Sequence, residues 1–230
     1  MKLLIIAATW NEVKPLEKTI SLWEEQGLLK NHLIEISITG IGGVATAFHL
    51  TKLLAGGNWD LVIQLGICGS FRKEYETGMV VNVTEERFSD LGAEDDDHFL
   101  DVFEINLLDK NKFPFEEGKL LNAHMDFLKS MKGNSLSILD SLPRVRGISV
   151  NKVHGNENSI HKIVSKYQPD IESMEGAAFF YCCKMESIPF IEIRSVSNYV
   201  EKRNRNNWNI PLSIEKLNEV AISLIEELMA

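Results

Sequence analysis

Two short, almost wholly apolar runs, Leu3 to Ala8 and Leu61 to Leu65, most constrain what this chain can fold into. A strand with water on one face alternates apolar and polar residues, whereas a strand covered on both faces has no need to. Both runs end in small residues, so each is read as a central strand of a sheet with helices on either side. Ile34 to Ile38 alternates as a strand, and Met79 to Thr84, Gly147 to Val150 and Pro189 to Val196 read as further strands. Between them lie helical segments: one from about Asn11 carrying Leu16, Ile20 and Leu22, and one opened by Gly40-Ile41-Gly42-Gly43 and running through Ala47 to Leu54. Helices are also expected over Asn122 to Met131, Ile160 to Tyr167 and Gly176 to Met185. Leu217, Val220, Ala221, Leu224, Ile225 and Leu228 fall on one face of a long C-terminal helix. This alternation predicts an α/β fold, a single domain over residues 1–230 with a mixed, largely parallel central sheet covered by helices. No repeat, linker or low-complexity tract interrupts it, and Glu94-Asp95-Asp96-Asp97 reads as a solvated loop.

Charge and composition narrow the partners. A formal net charge of -9 argues against nucleic acid and anionic membranes, since phosphate contacts need clustered Lys and Arg. No apolar run approaches ~18 residues, so no membrane span is expected. Met1 to Ala8 has the look of a short signal peptide, but Trp10-Asn11-Glu12 follows without a cleavage region, and a first core strand is the better reading. Cys68, Cys182 and Cys183 form no disulfide or metal framework, because adjacent helical cysteines point to different faces. Free thiols suit a reducing cytoplasm. The histidines show no metal-ligand spacing, so neither a metal nor another cofactor is expected, and the expected partner is a small molecule.

Three polar positions stand at strand-to-helix junctions, where open α/β sheets place ligands: Glu12, Glu175 and Asn198. Each has an ordinary explanation. A Glu in a helix's first turn is favoured by the helix dipole, and an Asn after a strand is a common turn former. Together, beside the glycine-rich turns Gly40 to Gly43 and Gly66 to Gly69, they describe a ligand site.

The motifs Glu12-Val13, Thr39-Gly40-Ile41-Gly42, Gly66-Ile67-Cys68-Gly69, Ser173-Met174-Glu175-Gly176-Ala177-Ala178 and Arg194-Ser195-Val196-Ser197-Asn198 run in this order along nearly the whole chain. In that order they resemble the purine nucleoside phosphorylase and nucleosidase family, which includes methylthioadenosine/S-adenosylhomocysteine nucleosidases. The segment Ser197-Asn198-Tyr199-Val200-Glu201, with Arg203-Asn204-Arg205 and Trp208, is most similar to the futalosine hydrolases, which remove hypoxanthine from futalosine in a route to menaquinone. The resemblance implies a nucleoside phosphorylase-like fold, a purine nucleoside substrate and a homodimer or higher homo-oligomer.

It also implies roles. Glu12 and Asn198 would be catalytic, and Gly66, Ile67, Cys68, Gly69, Ser173, Met174, Glu175, Ser197, Tyr199 and Arg203 would bind substrate. Cleaving an N-ribosidic bond develops positive charge on the ribose, so anionic groups belong near the sugar. Glu175 would anchor two ribose hydroxyls, Glu12 would deprotonate the attacking water, and the backbone of Gly66 to Gly69 would approach the nucleoside. Met174 packs on the sugar or fills the core. Adenine-cleaving relatives carry an Asp where this chain has Asn198; an amide cannot act as an acid, but its NH₂ can donate to O6 and N7 of a 6-oxopurine. Phosphorylases of the family hold phosphate with an Arg and a Ser at places matching Gln64 and Ile67, which favours water as nucleophile. Lys202-Arg203-Asn204-Arg205 reads either as a solvated loop or as the partner of a substrate carboxylate, with Tyr199 or Trp208 near its ring. His154 and Asn158 occupy a loop where some relatives supply a base-stacking aromatic. The rival readings are a methylthioadenosine/S-adenosylhomocysteine nucleosidase, a phosphate-dependent phosphorylase and a catalytically silent nucleoside-binding protein.

Overall fold

The first strand, β1 (Lys2–Ala7), explains its own lack of alternation in a computed structural model that describes residues 1–122 and 136–230. Leu3 and Ile5 point into one core with Val13, Leu16, Leu217 and Leu224, while Leu4 and Ile6 point into a second with Leu50, Leu54, Phe179, Phe180 and Phe190. Water reaches neither face. The first core is closed by α1 (Trp10–Glu25) and the C-terminal α6 (Ile210–Met229), the second by α2 (Gly43–Gly56) and α5 (Gly176–Met185).

The remaining strands are β2 (Leu33–Ile38), β3 (Leu61–Ser70), β4 (Val80–Glu86), the hairpin β5 (Gly92–Asp95) and β6 (His98–Asp101), β7 (Leu120–Leu121), β8 (Arg144–Ser149), β9 (Ile171–Ser173) and β10 (Phe190–Tyr199). Short α3 (Ser137–Ser141) precedes β8, and α4 (Glu157–Tyr167) follows it. The main sheet runs β10-β4-β8-β9-β3-β1-β2, and β10 pairs also with β3. The pairings β1–β2, β1–β3, β10–β3, β4–β8 and β8–β9 are parallel, whereas β10–β4, β3–β9 and β4–β7 are antiparallel. The mixed, helix-covered α/β sheet therefore matches expectation.

Three features differ from the sequence reading. The sheet is not open: β10, β4, β8, β9 and β3 close a ring, because β3 is long enough to leave β1 after Gln64 and take β9 on the same edge at Gly69 and Ser70. Gly66 to Gly69 is not a turn but the second half of β3, paired residue by residue with β10. Glu94 to Asp97 is exposed as expected, yet it belongs to the β5–β6 hairpin rather than a free loop. The helix expected over Asn122 to Met131 falls, beyond Asn122, outside the described residues. Among the described residues no helix is long and apolar enough to cross a membrane.

Candidate functional site

Glu12 sits in the first turn of α1 and is 7% exposed. Its Oε2 accepts from Thr9 N at 2.9 Å and Thr9 Oγ1 at 3.0 Å, and its Oε1 accepts from Ile67 N at 3.2 Å. Behind it, the buried Asn218 amide on α6 donates to Glu12 O and accepts from Leu16 N, which fixes the helical turn that carries the carboxylate. Burial raises the Glu12 carboxyl above the ordinary glutamate value, and the nearby Arg194 guanidinium pulls it back down.

Glu175 caps the N-terminus of α5 and is 5% exposed. Its Oε1 accepts from Gly42 N at 3.0 Å, and its Oε2 pairs with Arg194 Nη1 at 3.3 Å. Gly42 caps α2 at φ 89°, a left-handed conformation that glycine adopts at little cost and that turns its N–H toward this carboxylate. Arg194 is fully buried on β10 and also donates from Nε to Glu192 Oε1 at 2.7 Å. Burial alone would lower the Arg194 pKa, but the carboxylates of Glu192, Glu175 and Glu12 raise it, so the guanidinium stays charged.

Gly66 is needed by this arrangement. A Cβ there would run into the Arg194 guanidinium and lie 3.2 Å from Glu12 Oε1. The missing side chains at Gly66 and Gly69 thus also make room for the chain's own groups, at Gly69 for Val200 and for Asn198 Nδ2, 3.3 Å from its would-be Cβ.

Asn198 lies within β10 rather than after it. Val196 pairs with Cys68 and Asn198 with Gly69, so Ser197 is the extra residue of a bulge, the kind of irregularity that re-aims a side chain at a sheet end. Ser197 Oγ lies 2.8 Å from Asn198 Oδ1 and 3.1 Å from Cys68 O, sharing its one proton between them. Asn198 Nδ2 donates one N–H to Tyr199 O at 2.9 Å, which leaves a second for a ligand.

The other candidate residues fall less tightly. Ser173 Oγ, buried, accepts from Gly176 N at 3.3 Å and so serves the α5 N-terminus. Met174 lines a cavity of about 250 Å³ together with Gly43, Phe88 and Tyr181. Cys68 is buried, and desolvation pushes its thiol up to about 12. The Tyr199 hydroxyl donates to Lys73 O, and Lys73 Nζ stands 3.8 Å over its ring. Arg203 packs on Trp208 at 5.3 Å and lines a larger cavity of about 1270 Å³ with His154 and Lys152. Asp90 and Val150 line both cavities, so the two adjoin. Neither cavity is lined by Glu12, Glu175 or Asn198; Glu175 adjoins the smaller one through Met174 and its bond to Gly42. Arg205 opens an exposed turn of 3₁₀ helix, and Asn158 lies exposed in the first turn of α4.

Sequence reasoning gave no role to Arg194, the hub of the cluster, nor to Glu86 and Glu192, both fully buried. Glu192 and Arg194 share a face of β10, since they are two residues apart in a strand flanked by Ile191 and Ile193. Opposite charges at that spacing in a buried strand were the available signal. His154 is held by Glu172 through both its N–H (3.0 Å) and Nδ1 (2.7 Å), with its ring against Phe71 at 6.3 Å. Among the described residues no group of histidine, cysteine or carboxylate side chains could hold a metal ion.

Comparison with known proteins adds four findings. The Phosphorylase superfamily matches over residues 2–230. A 5′-methylthioadenosine/S-adenosylhomocysteine nucleosidase of Haemophilus ducreyi is 26% identical, with 98% of this chain and 97% of that protein covered. Among solved structures, futalosine hydrolase of Helicobacter pylori superimposes with a TM-score of 0.74 at 15% identity over 99% of this chain and 98% of the other. The Neisseria meningitidis 5′-methylthioadenosine/S-adenosylhomocysteine nucleosidase, in complex with methylthio-immucillin-A, gives 0.74 at 16% identity over 98% of each chain.

Proposed function

The chain belongs to the Phosphorylase superfamily, and from that premise we propose that it is a nucleosidase that hydrolyses the N-ribosidic bond of futalosine and releases hypoxanthine. The observation that carries this reading is Asn198. Its amide is oriented by Ser197 and Tyr199 O and retains one N–H, so it can donate to a 6-oxopurine but cannot protonate an adenine.

In this reading Glu175 accepts from the ribose hydroxyls while Arg194 and Gly42 N fix its orientation. Glu12, raised by burial and aimed by Thr9 and Ile67 N, takes a proton from the water that attacks the anomeric carbon. The positive charge that develops on the sugar is met by these two carboxylates. The C–N bond breaks as the water oxygen adds, and the purine leaves as an anion whose O6 is held by the free N–H of Asn198; it takes a proton from solvent to give hypoxanthine, while Glu12 returns the proton it took to solvent. Gly66, Ile67, Cys68 and Gly69 support the site from β3, Ser173 and Ser197 brace Glu175 and Asn198, and Met174 contributes the apolar wall under the sugar. Arg203, rather than Arg205, is the better partner for a substrate carboxylate, since Arg203 lines the larger cavity and packs on Trp208 while Arg205 opens an exposed turn.

Water rather than phosphate is the nucleophile. The Ile67 N–H that could meet an anion is occupied by Glu12, Arg194 is shared between Glu175 and Glu192, and Gln64 carries no charge. Exposed Ile41 (63%), Val44 (84%) and Phe48 (57%), near the Gly42–Gly43 wall, support a homodimer, which light scattering on the purified protein would test. The buried free thiols are in keeping with a reducing cytoplasm.

The test is direct. The purified protein is incubated without phosphate with futalosine, inosine and methylthioadenosine in turn, and the released base is chromatographed. Hypoxanthine from futalosine is the expected product. Adenine from methylthioadenosine would instead favour the nucleosidase reading that the Haemophilus ducreyi relative suggests, and binding without release would favour a silent binding protein.

A further inference from the structure

Glu86 ends β4 and Glu192 sits on β10, and both are 0% exposed. They converge on the start of α5: a Cβ at Gly176 would come under 3.0 Å from an oxygen of each. A chain of hydrogen bonds runs through this spot. Ala177 N donates to Ser149 Oγ at 2.7 Å, and Ser149 Oγ donates to Glu86 Oε2 at 3.0 Å. From the other end, Gly42 N donates to Glu175 Oε1, Arg194 Nη1 pairs with Glu175 Oε2, and Arg194 Nε donates to Glu192 Oε1 at 2.7 Å. Within this network Glu86 Oε1, Glu192 Oε2 and Arg194 Nη2 are buried and have no partner, and of these the two carboxylate oxygens have no donor between them.

Two ionised carboxylates side by side cannot bond and repel in a low-dielectric interior, whereas one proton between them supplies the missing donor. We propose that Glu86 is a carboxylic acid that donates its proton to Glu192, and that this pair holds Arg194, and through it Glu175, in place; Glu86 and Glu192 are thus positioning residues of the nucleoside site. The assignment of the proton follows from the partners. Glu192 faces the Arg194 cation and keeps its charge, whereas Glu86 accepts only from Ser149 Oγ and from Arg87 N, and the Arg87 side chain turns to Glu85. The other titratable groups nearby are Glu12, Glu175, the Cys68 thiol and Glu172, which His154 holds; Glu12, Glu86, Glu175 and Glu192 thus share the Arg194 cation. Keeping Glu86 neutral removes one uncompensated buried charge. Burial, followed by the charge of Glu192, pushes the Glu86 carboxyl well above the ordinary range, in agreement with this geometry.

The positioning half of the proposal rests on the nucleosidase reading, and the proton-sharing half does not. Infrared difference spectra of the full chain, in light and heavy water at neutral pH, read buried protonated carboxyls directly. The expected result is a carboxylic-acid band that persists in Glu12→Gln and is lost in Glu86→Gln. A wild type without the band, or a band that survives Glu86→Gln, would overturn the acid pair. For positioning, Glu192→Gln is expected to lose about tenfold in kcat/KM. The acidic limb of its pH profile should also move to lower pH, because Arg194 then has one fewer anion to neutralise and stabilises ionised Glu12 more strongly. A lowered Tm with an unmoved limb would reduce Glu192 to a packing role and overturn that half. Should the wild type release no base from any nucleoside, the hydrolase reading fails while the infrared result still decides the acid pair.

Discussion

Ile67 N donates to Glu12 Oε1 across 3.2 Å, joining the second half of β3 to the first turn of α1. The bond aims the carboxylate and at the same time occupies a backbone donor that an incoming anion would need. In the proposed reading Glu12 would thereby act on the choice of nucleophile as well as on its activation.

Replacing Glu12 by Gln is expected to lower kcat by ~10²–10⁴, the usual contribution of a general base. The wild-type kcat/KM should fall as the medium is acidified through a midpoint above the ordinary glutamate value of 4.5, because burial raises this carboxyl and the base must be ionised to work. A midpoint at or below 4.5 in the measured profile would contradict that role.

Asn198→Asp exchanges an amide donor for a carboxylate that repels both O6 of the base and Tyr199 O. Initial rates of hypoxanthine release are expected to drop by about tenfold or more. An unchanged rate would count against Asn198 as the base-reading group.

Charge reversal at Arg203 and Arg205 together is expected to raise KM about tenfold for futalosine while leaving inosine unaffected. Equal effects on the two substrates would return this segment to the status of a solvated loop.

Gly66→Ala places a methyl group where the Arg194 guanidinium lies. Overpacking of this kind costs ~1–3 kcal/mol, read as a lower urea midpoint, and should bring a fall in kcat because Arg194 is displaced from Glu175. A variant with wild-type stability and rate would mean that Arg194 has another place to go.

Asp170 ties β8 to the end of β3, accepting from Arg146 N, Nε and Nη2 and from Arg72 Nε. Burial alone would raise its carboxyl, but the Arg146 bonds and then Arg72 hold it below the ordinary aspartate value of 3.8. A depressed folded-state pKa contributes stability above the unfolded value that is lost as pH falls through the folded one. Asp170→Asn is therefore expected to cost about 1–2 kcal/mol at neutral pH, after allowance for the solvent around both arginines. The difference from wild type should vanish in strong acid, as denaturation followed against pH would show.

The parts of the fold that were legible in the sequence are those where burial acts through a simple period. β1 read as a doubly covered strand because Leu3 to Ala7 has no polar face, and α6 read as helix because Leu217, Ala221, Leu224 and Leu228 recur on one side. Glu12 and Glu175 were legible as residues at strand-to-helix junctions, and both stand at helix starts. What was not legible depends on partners distant in sequence. Gly66 and Gly69 looked like a turn because glycine usually marks one, and only Arg194 and Asn198 explain their place in a strand. The strand extension to Tyr199 requires a bulge that pattern alone does not reveal. Glu86 drew no attention in the sequence, because its burial depends on Ser149 and Glu192, both far along the chain.

The ring of strands also has a consequence for how the chain is made. β10 lies between β3 and β4 and pairs with both, yet it is synthesised well after either. Until residues 190–199 are available, the apolar residues of β3 and β4 present bare edges that another copy of the chain could pair with as readily as its own missing strand. A chain cut short before β10 would lack Arg194 and would also carry two open edges, so its fate would be aggregation rather than a quieter enzyme.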